Sequence, residues 1–353
     1  AQISKLRFFI SLVVDQKVDK NEVNFGVKAL PNLETKFVAA NTLIGIEKPE
    51  NQGYLFENKE IRALGKELEN VRHQIFSAKT PPTKRKLREK DQELREKMGE
   101  LLVDNDWGNK TAIQLASWNP YDQNASSPFF DPEWMFGIKD GFDIVIGNPP
   151  YVTYKGKERV EISKEGFDYL LERYKNSAEY KVNSYALFIE NGIDILNRFG
   201  ILSFIIPSTI LQNEYLKKIR RYILTKNHLN QLLIFSNSVF GAVTDSIIVQ
   251  IRKGHKELPT RVLKKKSLNL EYYENKFEVW DSNIWTTEES YVINLRATVE
   301  QLKILQQIEQ HTIQLDNILN VYVGVVASGI KKFVSDYQVD DNHKKYLLGR
   351  DID

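Results

Sequence analysis

The sequence contains no cysteine. That excludes disulfides, thiolate zinc sites and cysteine nucleophiles together, and it suits a reducing cytoplasm. Histidine is sparse. The five histidines (His73, His228, His255, His311, His343) are scattered with no pair at ligand spacing, so no structural metal is expected. No apolar run approaches the ~18 residues that a membrane-spanning helix requires, so no membrane span is expected. The first apolar stretch, Leu6 to Val14, is amphipathic and does not read as a signal peptide. Neither sign of charge dominates: 49 Lys and Arg stand against 47 Asp and Glu, a formal net charge of +2. A nucleic-acid surface would therefore have to come from cations gathered on one face, not from bulk basicity. Internal repeats and low-complexity segments are missing as well.

What is present is an ordinary globular composition, 42% apolar and 27% charged over 353 residues, long enough for two or three cores. Ile3, Leu6, Phe9, Ile10 and Val13 recur at helical spacing, which predicts a half-buried helix over 3–15. With no start methionine, cap or preceding strand, the chain reads as a fragment whose N-terminal part lies elsewhere. Lys36-Phe37-Val38-Ala39-Ala40 reads as a short strand with Asn41-Thr42 at its end. Residues 57–103 are rich in Glu, Lys, Arg and Leu and are divided by Pro81-Pro82, predicting a helical hairpin with helices over 57–78 and 83–102. Within it, Lys84-Arg85-Lys86-Leu87-Arg88 is either a solvated face with i,i+4 partners or a phosphate contact.

From Gly141 the texture becomes α/β. Phe142-Asp143-Ile144-Val145-Ile146 reads as a buried strand. A helix is expected over 180–198, capped by Gly200, and Ile201 to Ile206 as the next buried strand, stopped by Pro207. A polar helix near 212–226 precedes two strands, Gln231 to Ser236 and Ser246 to Arg252, expected to pair antiparallel. The alternation implies a mostly parallel sheet with helices on both faces and a ligand site at the carboxyl ends of the strands. An aromatic stretch (Tyr272, Tyr273, Phe277, Trp280, Trp285) then leads to a helix near 296–310.

Asn148-Pro149-Pro150-Tyr151 follows the strand at 142–146, where a reaction centre belongs. Its parts suit one task, methylation of a planar amino nitrogen. Such a nitrogen is a poor nucleophile because its lone pair is delocalised into a ring. The Asn148 side-chain oxygen and the Pro149 carbonyl can accept its two hydrogens and favour a pyramidal nitrogen, and one such hydrogen bond is worth ~3 kcal/mol in a transition state. Each proline fixes its own φ and restricts the residue before it, and Pro150 has no N–H to compete for the Asn148 oxygen. Tyr151 offers a face for a base to stack on. No general base is needed at the start, because the proton becomes acidic only once the methyl arrives. As a plain strand-ending turn, Asn-Pro-Pro-Tyr has a simpler reading too.

The stretch from Gly141 to Tyr151 resembles the catalytic motif of the gamma-class adenine-specific DNA methyltransferases, in the form found in bifunctional type IIG restriction–modification enzymes. Other segments agree in order. Ile3 to Phe9 resembles the helix after the family's second cofactor strand, and Lys36 to Asn41 its third strand. Ser184 to Glu190 with Gly200 to Pro207 resembles the next helix and strand. Val239-Phe240 with Ser246 to Val249 resembles the loop that packs the other face of a flipped base. Val323-Gly324-Val325 and Gly349-Arg350-Asp351-Ile352 resemble the start of a target-recognition domain.

The resemblance implies a Rossmann-like S-adenosylmethionine-dependent methyltransferase fold, mostly parallel with an antiparallel last strand. It implies a catalytic core at 1–56 and 104–255, a helical insertion at 57–103, a linker at 256–290 and a recognition domain beginning at 291–353. It further implies that Asn148 and Pro149 bind the target amino group, that Tyr151 and Phe240 sandwich the base, and that Asn41 touches the cofactor's adenine. The partners would be double-stranded DNA and the missing N-terminal segment. One departure is large: the family's glycine-rich cofactor loop is not found, since Gly324 and Gly329 follow no suitable strand. The fragment alone is therefore expected to be inactive. Two further readings stay open, a protein-glutamine or RNA methyltransferase using the same motif, and a non-catalytic DNA-binding remnant. Glu57-Asn58-Lys59 and Glu274-Asn275-Lys276 have the acid-x-Lys spacing of nucleases but read as surface charge.

Overall fold

The computed structural model describes residues 2–313, except 28–29, 47–58, 106–108, 123, 156–159, 236–244, 255–257, 266–276, 288 and 296–298, together with residue 318. Contacts divide the chain into two units, Ala1–Leu295 and Arg296–Asp353. Among the described residues no helix is long and apolar enough to cross a membrane.

The first helix, α1 (Gln2–Val14), forms where the apolar spacing predicts it, but it has no buried residue. Ile3 is 75% exposed and Leu6 60%. Its contacts run through the other side, with Phe8 edge-on to Phe37 and Lys5 3.6 Å from Glu34. The half-burial expected from periodicity is not met because no described element covers the apolar stripe. The strand expected over 36–40 does not form either. A turn occupies 34–36, and only Ala40 makes a bridge, to Ser127, through Asn41 N–H to the Ser127 carbonyl and Ser127 N–H to the Ala39 carbonyl.

The hairpin consists of α2 (Lys59–Ser77) and α3 (Pro81–Asp104). The proline pair does more than interrupt. Pro81 and Pro82 sit in the first turn of α3, where helix N–H groups have no partner to lose, and the Thr80 side chain accepts from Thr83 N–H. Ile61, Leu68, Val71 and Ile75 pack with Leu94, Met98 and Leu102 into a core completed by Leu115 of α4 (Asn109–Ser117), Trp118, Phe129 and Trp134 of α5 (Pro132–Phe136).

Inside this apolar core lies an ion triad. Asp91, fully buried, accepts from Arg72 Nε at 2.9 Å and Arg95 Nε at 2.8 Å. Arg72 Nη1 donates to the Trp134 carbonyl and Arg95 Nη1 to the Ala116 carbonyl, while the buried Arg72 Nη2 has no hydrogen-bond partner among the described residues. The Arg72 guanidinium also lies 5.1 Å from the Trp118 ring centroid. By contrast Arg85 and Arg88 are solvated, pairing with Glu89 at 3.6 Å and Glu34 at 3.4 Å.

The second layer is a six-stranded mixed sheet in the order β1-β2-β4-β3-β5-β6, built from β1 (Phe142–Gly147), β2 (Leu196–Pro207), β3 (His228–Phe235), β4 (Ser246–Arg252), β5 (Thr260–Lys265) and β6 (Glu278–Trp280). β1 and β2 are parallel, and β4 is inserted antiparallel between β2 and β3. The expected antiparallel pair of β3 and β4 is present. The stretch 256–290, read from sequence as a linker, carries β5, parallel to β3, and β6. Among the described residues β1 is an edge strand, and it is not buried as its apolar composition suggests: Ile144 is 66% exposed and Ile146 80%.

Three helices complete the unit: α6 (Lys164–Arg173), α7 (Ser184–Asp194) and α8 (Lys217–Lys226). The helix expected over 180–198 is shorter at both ends, and Gly200 does not cap it. Gly200 instead lies within β2, where a Cβ would come within 2.7 Å of the Phe142 carbonyl oxygen. The β1–β2 register jumps there, from Phe142 opposite Leu196 to Ile144 opposite Ile201, and the close backbone approach needs glycine. In the second unit the described helix is α9 (Val299–Gln310). The tail segments near 321–327 and 349–352 lie outside the described residues.

The triad yields a test. Asp91→Ala leaves two buried guanidinium groups without their shared anion, and is expected to cost roughly 3–5 kcal/mol. Glu89→Ala, on a solvated pair, is expected to cost less than about 1 kcal/mol. Urea unfolding of the two variants compares them, and an Asp91→Ala midpoint no lower than that of Glu89→Ala would remove the triad from the core's stability.

Candidate active site

β1 and β2 run side by side to a common end, with Gly147 opposite Phe204. A Cβ at Gly147 would lie 3.3 Å from the Phe204 ring, so glycine lets the chain leave the sheet close to its neighbour. Asn148-Pro149-Pro150-Tyr151 follows directly. Asn148 and Pro150 are exposed, Pro149 is buried and Tyr151 is half-buried. The Asn148 amide and the Pro149 carbonyl have no hydrogen-bond partner among the described residues.

The residues on either side of those two acceptors are held. The Ser184 hydroxyl, at the start of α7, donates to the Pro150 carbonyl and accepts from Val152 N–H at 3.1 Å. Ser184 N–H returns a bond to the Val152 carbonyl at 2.9 Å, and Tyr154 N–H reaches the Val182 carbonyl at 3.1 Å. Tyr151 is pinned by its hydroxyl, which donates to the Ile205 carbonyl at 3.0 Å. Its ring meets Tyr185 at 85°, centroids 6.3 Å apart. Burial pushes the Tyr151 pKa above the ordinary phenol value, with a hydrogen bond from Ser246 opposing, so the ring stays a neutral phenol.

α7 holds the other candidate segment as well. Asn191 Nδ2 donates to the Thr42 carbonyl at 3.0 Å, and the Tyr174 hydroxyl donates to the Leu43 carbonyl at 2.9 Å. The Asn41 side chain is exposed beside this anchor. Ser184 and Asn191 stand seven residues apart on one helix, a rise of about 10 Å. The turn leading into α7 is clasped by Glu190, which accepts from Ser177 Oγ, Asn176 Nδ2 and Asn176 N–H at 2.5, 2.8 and 3.3 Å. Burial raises the Glu190 pKa while those bonds oppose the rise.

Sequence reasoning assigned no role to Ser184 or Asn191. The signal present, Asn183-Ser184 ahead of an apolar helix, suggests an N-cap. The structure turns the Ser184 hydroxyl to the motif instead, and Asn183 makes no side-chain cap. Phe240 lies outside the described residues. Among the described residues no cluster of His, Asp and Glu could hold a metal ion.

Two concave spaces among the described residues lie away from the motif. One of about 170 Å³ is lined by Arg72, Trp134 and Gly137 at the hairpin, and an open one of about 660 Å³ by Tyr169, Arg173, Asn176 and Glu190. Neither includes a motif residue. The motif follows the edge strand of the described sheet, with Asn148 exposed and Pro149 buried, and its two acceptors have no partner among the described residues on a clamped backbone.

The chain is similar in sequence to known proteins. The chain is 27% identical over 213 residues to the type II restriction enzyme and methyltransferase RM.Eco57I of Escherichia coli, covering 56% of this chain and 19% of that protein. It is 24% identical over 416 aligned positions to the putative type II restriction enzyme and methyltransferase RM.MjaORFECS2P of Methanocaldococcus jannaschii, covering 99% of this chain and 33% of that protein. A type II methyltransferase of Haemophilus influenzae, M.HincII, is 23% identical over 189 residues, 50% of this chain and 37% of the relative. The chain thus spans a fifth to about a third of these relatives. The profile of the Eco57I restriction-modification methylase family matches residues 1–240, motif and α7 included. By that match the chain belongs to the Eco57I restriction-modification methylase family.

Proposed function

We propose that this chain is the acceptor-side part of a DNA adenine methyltransferase of a restriction–modification system, one that methylates the exocyclic amino group of an adenine flipped out of the duplex. The reading is carried by one observation: the Asn148 amide and the Pro149 carbonyl are free among the described residues, while Gly147 before them and Pro150 after them are tied down. Two acceptors on a rigid backbone suit an NH2 group. They take its two hydrogens, turn its lone pair outward and stabilise the charge that grows as the new N–C bond forms. The amino group of a stacked base is out of reach, so the base must leave the helix first. Tyr151, fixed at its hydroxyl, offers its ring to the extruded base, a contact worth roughly 1–3 kcal/mol. Phe240 would take the opposite face.

S-adenosylmethionine supplies the methyl group when bound. The residues of this chain fit one end of it: Asn41, exposed beside the Asn191 anchor, would contact the adenine moiety. They do not fit the other, since the sequence holds no glycine-rich loop of the Phe-x-Gly-x-Gly kind to cradle the methionine moiety. The donor half is therefore assigned to no residue here, and this chain alone is proposed to transfer no methyl. The edge of β1, unpaired among the described residues and with Ile144 and Ile146 exposed, suits strands that would bring such a loop beside the motif. Recognition of the DNA sequence is assigned to the domain proposed to begin near 291.

In the full-length enzyme, Asn148→Ala is expected to lower methyl transfer to duplex DNA by at least about 100-fold and to leave DNA affinity nearly intact. Tritium transfer and a fluorescence-anisotropy titration read the two quantities, and turnover comparable to wild type would refute the role of Asn148. Ser184→Ala is expected to lower kcat more than it changes KM for DNA, because it frees the Pro150 and Val152 groups without touching the acceptors. Ser184→Thr, which keeps the hydroxyl, is expected to restore most of the loss. Equal loss in both variants would show that the hydroxyl is not what holds the loop.

A further inference from the structure

Just beyond the motif the chain builds a surface for which the methyl-transfer chemistry has no use. Lys155 follows Tyr151 by four residues. Its Nζ lies 4.4 Å from the ring centroid of Tyr180. The Tyr180 ring lies 5.5 Å from that of Tyr215, tilted by 33°. Lys181 Nζ lies 5.2 Å from the Tyr215 centroid. Cation, ring, ring and cation thus form one row. Both lysines are exposed, and Tyr180 is 63% exposed and Tyr215 37%.

The row is rigidly joined to the motif. Tyr154 N–H bonds the Val182 carbonyl, Thr153 and Asn183 form an antiparallel bridge, and Val152 and Ser184 are tied as described above. Val182 itself is buried and holds a φ of +43°, an unusual conformation for a β-branched residue, between the exposed Tyr180 and Lys181 and the bridge at Asn183. Further cations flank the row at α8. Lys218 Nζ bonds the Ala178 carbonyl, and Lys217 lies 3.6 Å from Glu289. The nearby acids are Glu179, which accepts from the Lys218 N–H, and Glu214.

We infer that Lys155, Tyr180, Lys181 and Tyr215 form a contact surface for the DNA strand flanking the target nucleotide, the lysines meeting phosphates and an exposed ring stacking on an unpaired base. The inference rests on the reading of the motif given above. Three observations favour DNA as the occupant. The chain's net charge is only +2, so phosphate contacts must come from local clusters, and this cluster adjoins the motif. Interleaved cations and exposed rings suit an unstacked strand, whose bases show their faces and whose phosphates need partners. The Cα atoms of Tyr151 and Lys155 are at most ~14 Å apart along the chain, so one strand can touch both. The cation–π pairs also hold each flexible lysine over a ring, weakly enough at an exposed site for a phosphate oxygen to displace it.

The test uses the full-length enzyme and a duplex oligonucleotide bearing its recognition sequence. Lys155→Ala/Lys181→Ala is expected to weaken DNA binding about tenfold, and to reduce the slope of log affinity against log salt by about 2, one for each lost phosphate contact. Lys155→Arg/Lys181→Arg should keep the wild-type slope. Tyr180→Ala/Tyr215→Ala should weaken binding while leaving the slope unchanged, because stacking releases no counterions. An unchanged slope in the double lysine variant would overturn the inference. Asn148→Ala serves as the reference: methylation lost in that variant together with unchanged slopes in the lysine variants leaves the motif reading standing and this one fallen. A reduced slope in the lysine variants supports the surface whatever base the enzyme methylates.

Discussion

One hydroxyl governs the geometry of the motif. Ser184 both donates to the Pro150 carbonyl and accepts from Val152 N–H, so a single side chain closes the loop that follows the two proline residues. Prolines stiffen φ but leave ψ open, and without an outside anchor the segment could still swing about the end of β1. The anchor belongs to a helix packed against β2, so the loop inherits the rigidity of the sheet. Because the same helix grips Thr42 through Asn191, its length sets the spacing between the motif and the segment around Asn41. A site built from loops is given precision by a rigid element behind it.

That dependence explains which parts of the site could be read from the chain. The motif is contiguous, and its residue types carry their chemistry with them, so Asn148 to Tyr151 stand out without coordinates. The clamp is not contiguous. Ser184 lies 34 residues from Pro150, and Asn191 lies 149 from Thr42. Nothing in a local pattern separates a serine that caps its own helix from one that reaches across to another segment. Helices with strong periodicity were legible, as were the antiparallel partners β3 and β4. Burial was legible only where both faces of an element are covered. The composition of β1 and the stripe of α1 both predict cover, and the described residues provide none.

The hairpin shows the opposite failure. Its sequence reads as polar helix, and most of its charges are solvated as expected. Arg72, Asp91 and Arg95 are not, and their spacing along the chain looks like any other surface pattern. What distinguishes them is the set of carbonyls and rings that receive the guanidinium groups, from Trp134, Ala116 and Trp118, all outside the hairpin. A buried triad of this kind adds little net stability against an apolar alternative, but it fixes which groups may face each other. Here it ties both helices to the segment that leads directly into β1.

The open flank of β1 has a consequence for handling the polypeptide in isolation. A row of backbone amides unshared among the described residues, beside two exposed isoleucines, is a template on which another extended chain can lie down. Colloidal behaviour would then depend on protein concentration, with oligomers growing edge to edge as the solution is concentrated. A soluble preparation would call for dilute conditions, or for a peptide that occupies the flank before a second molecule does.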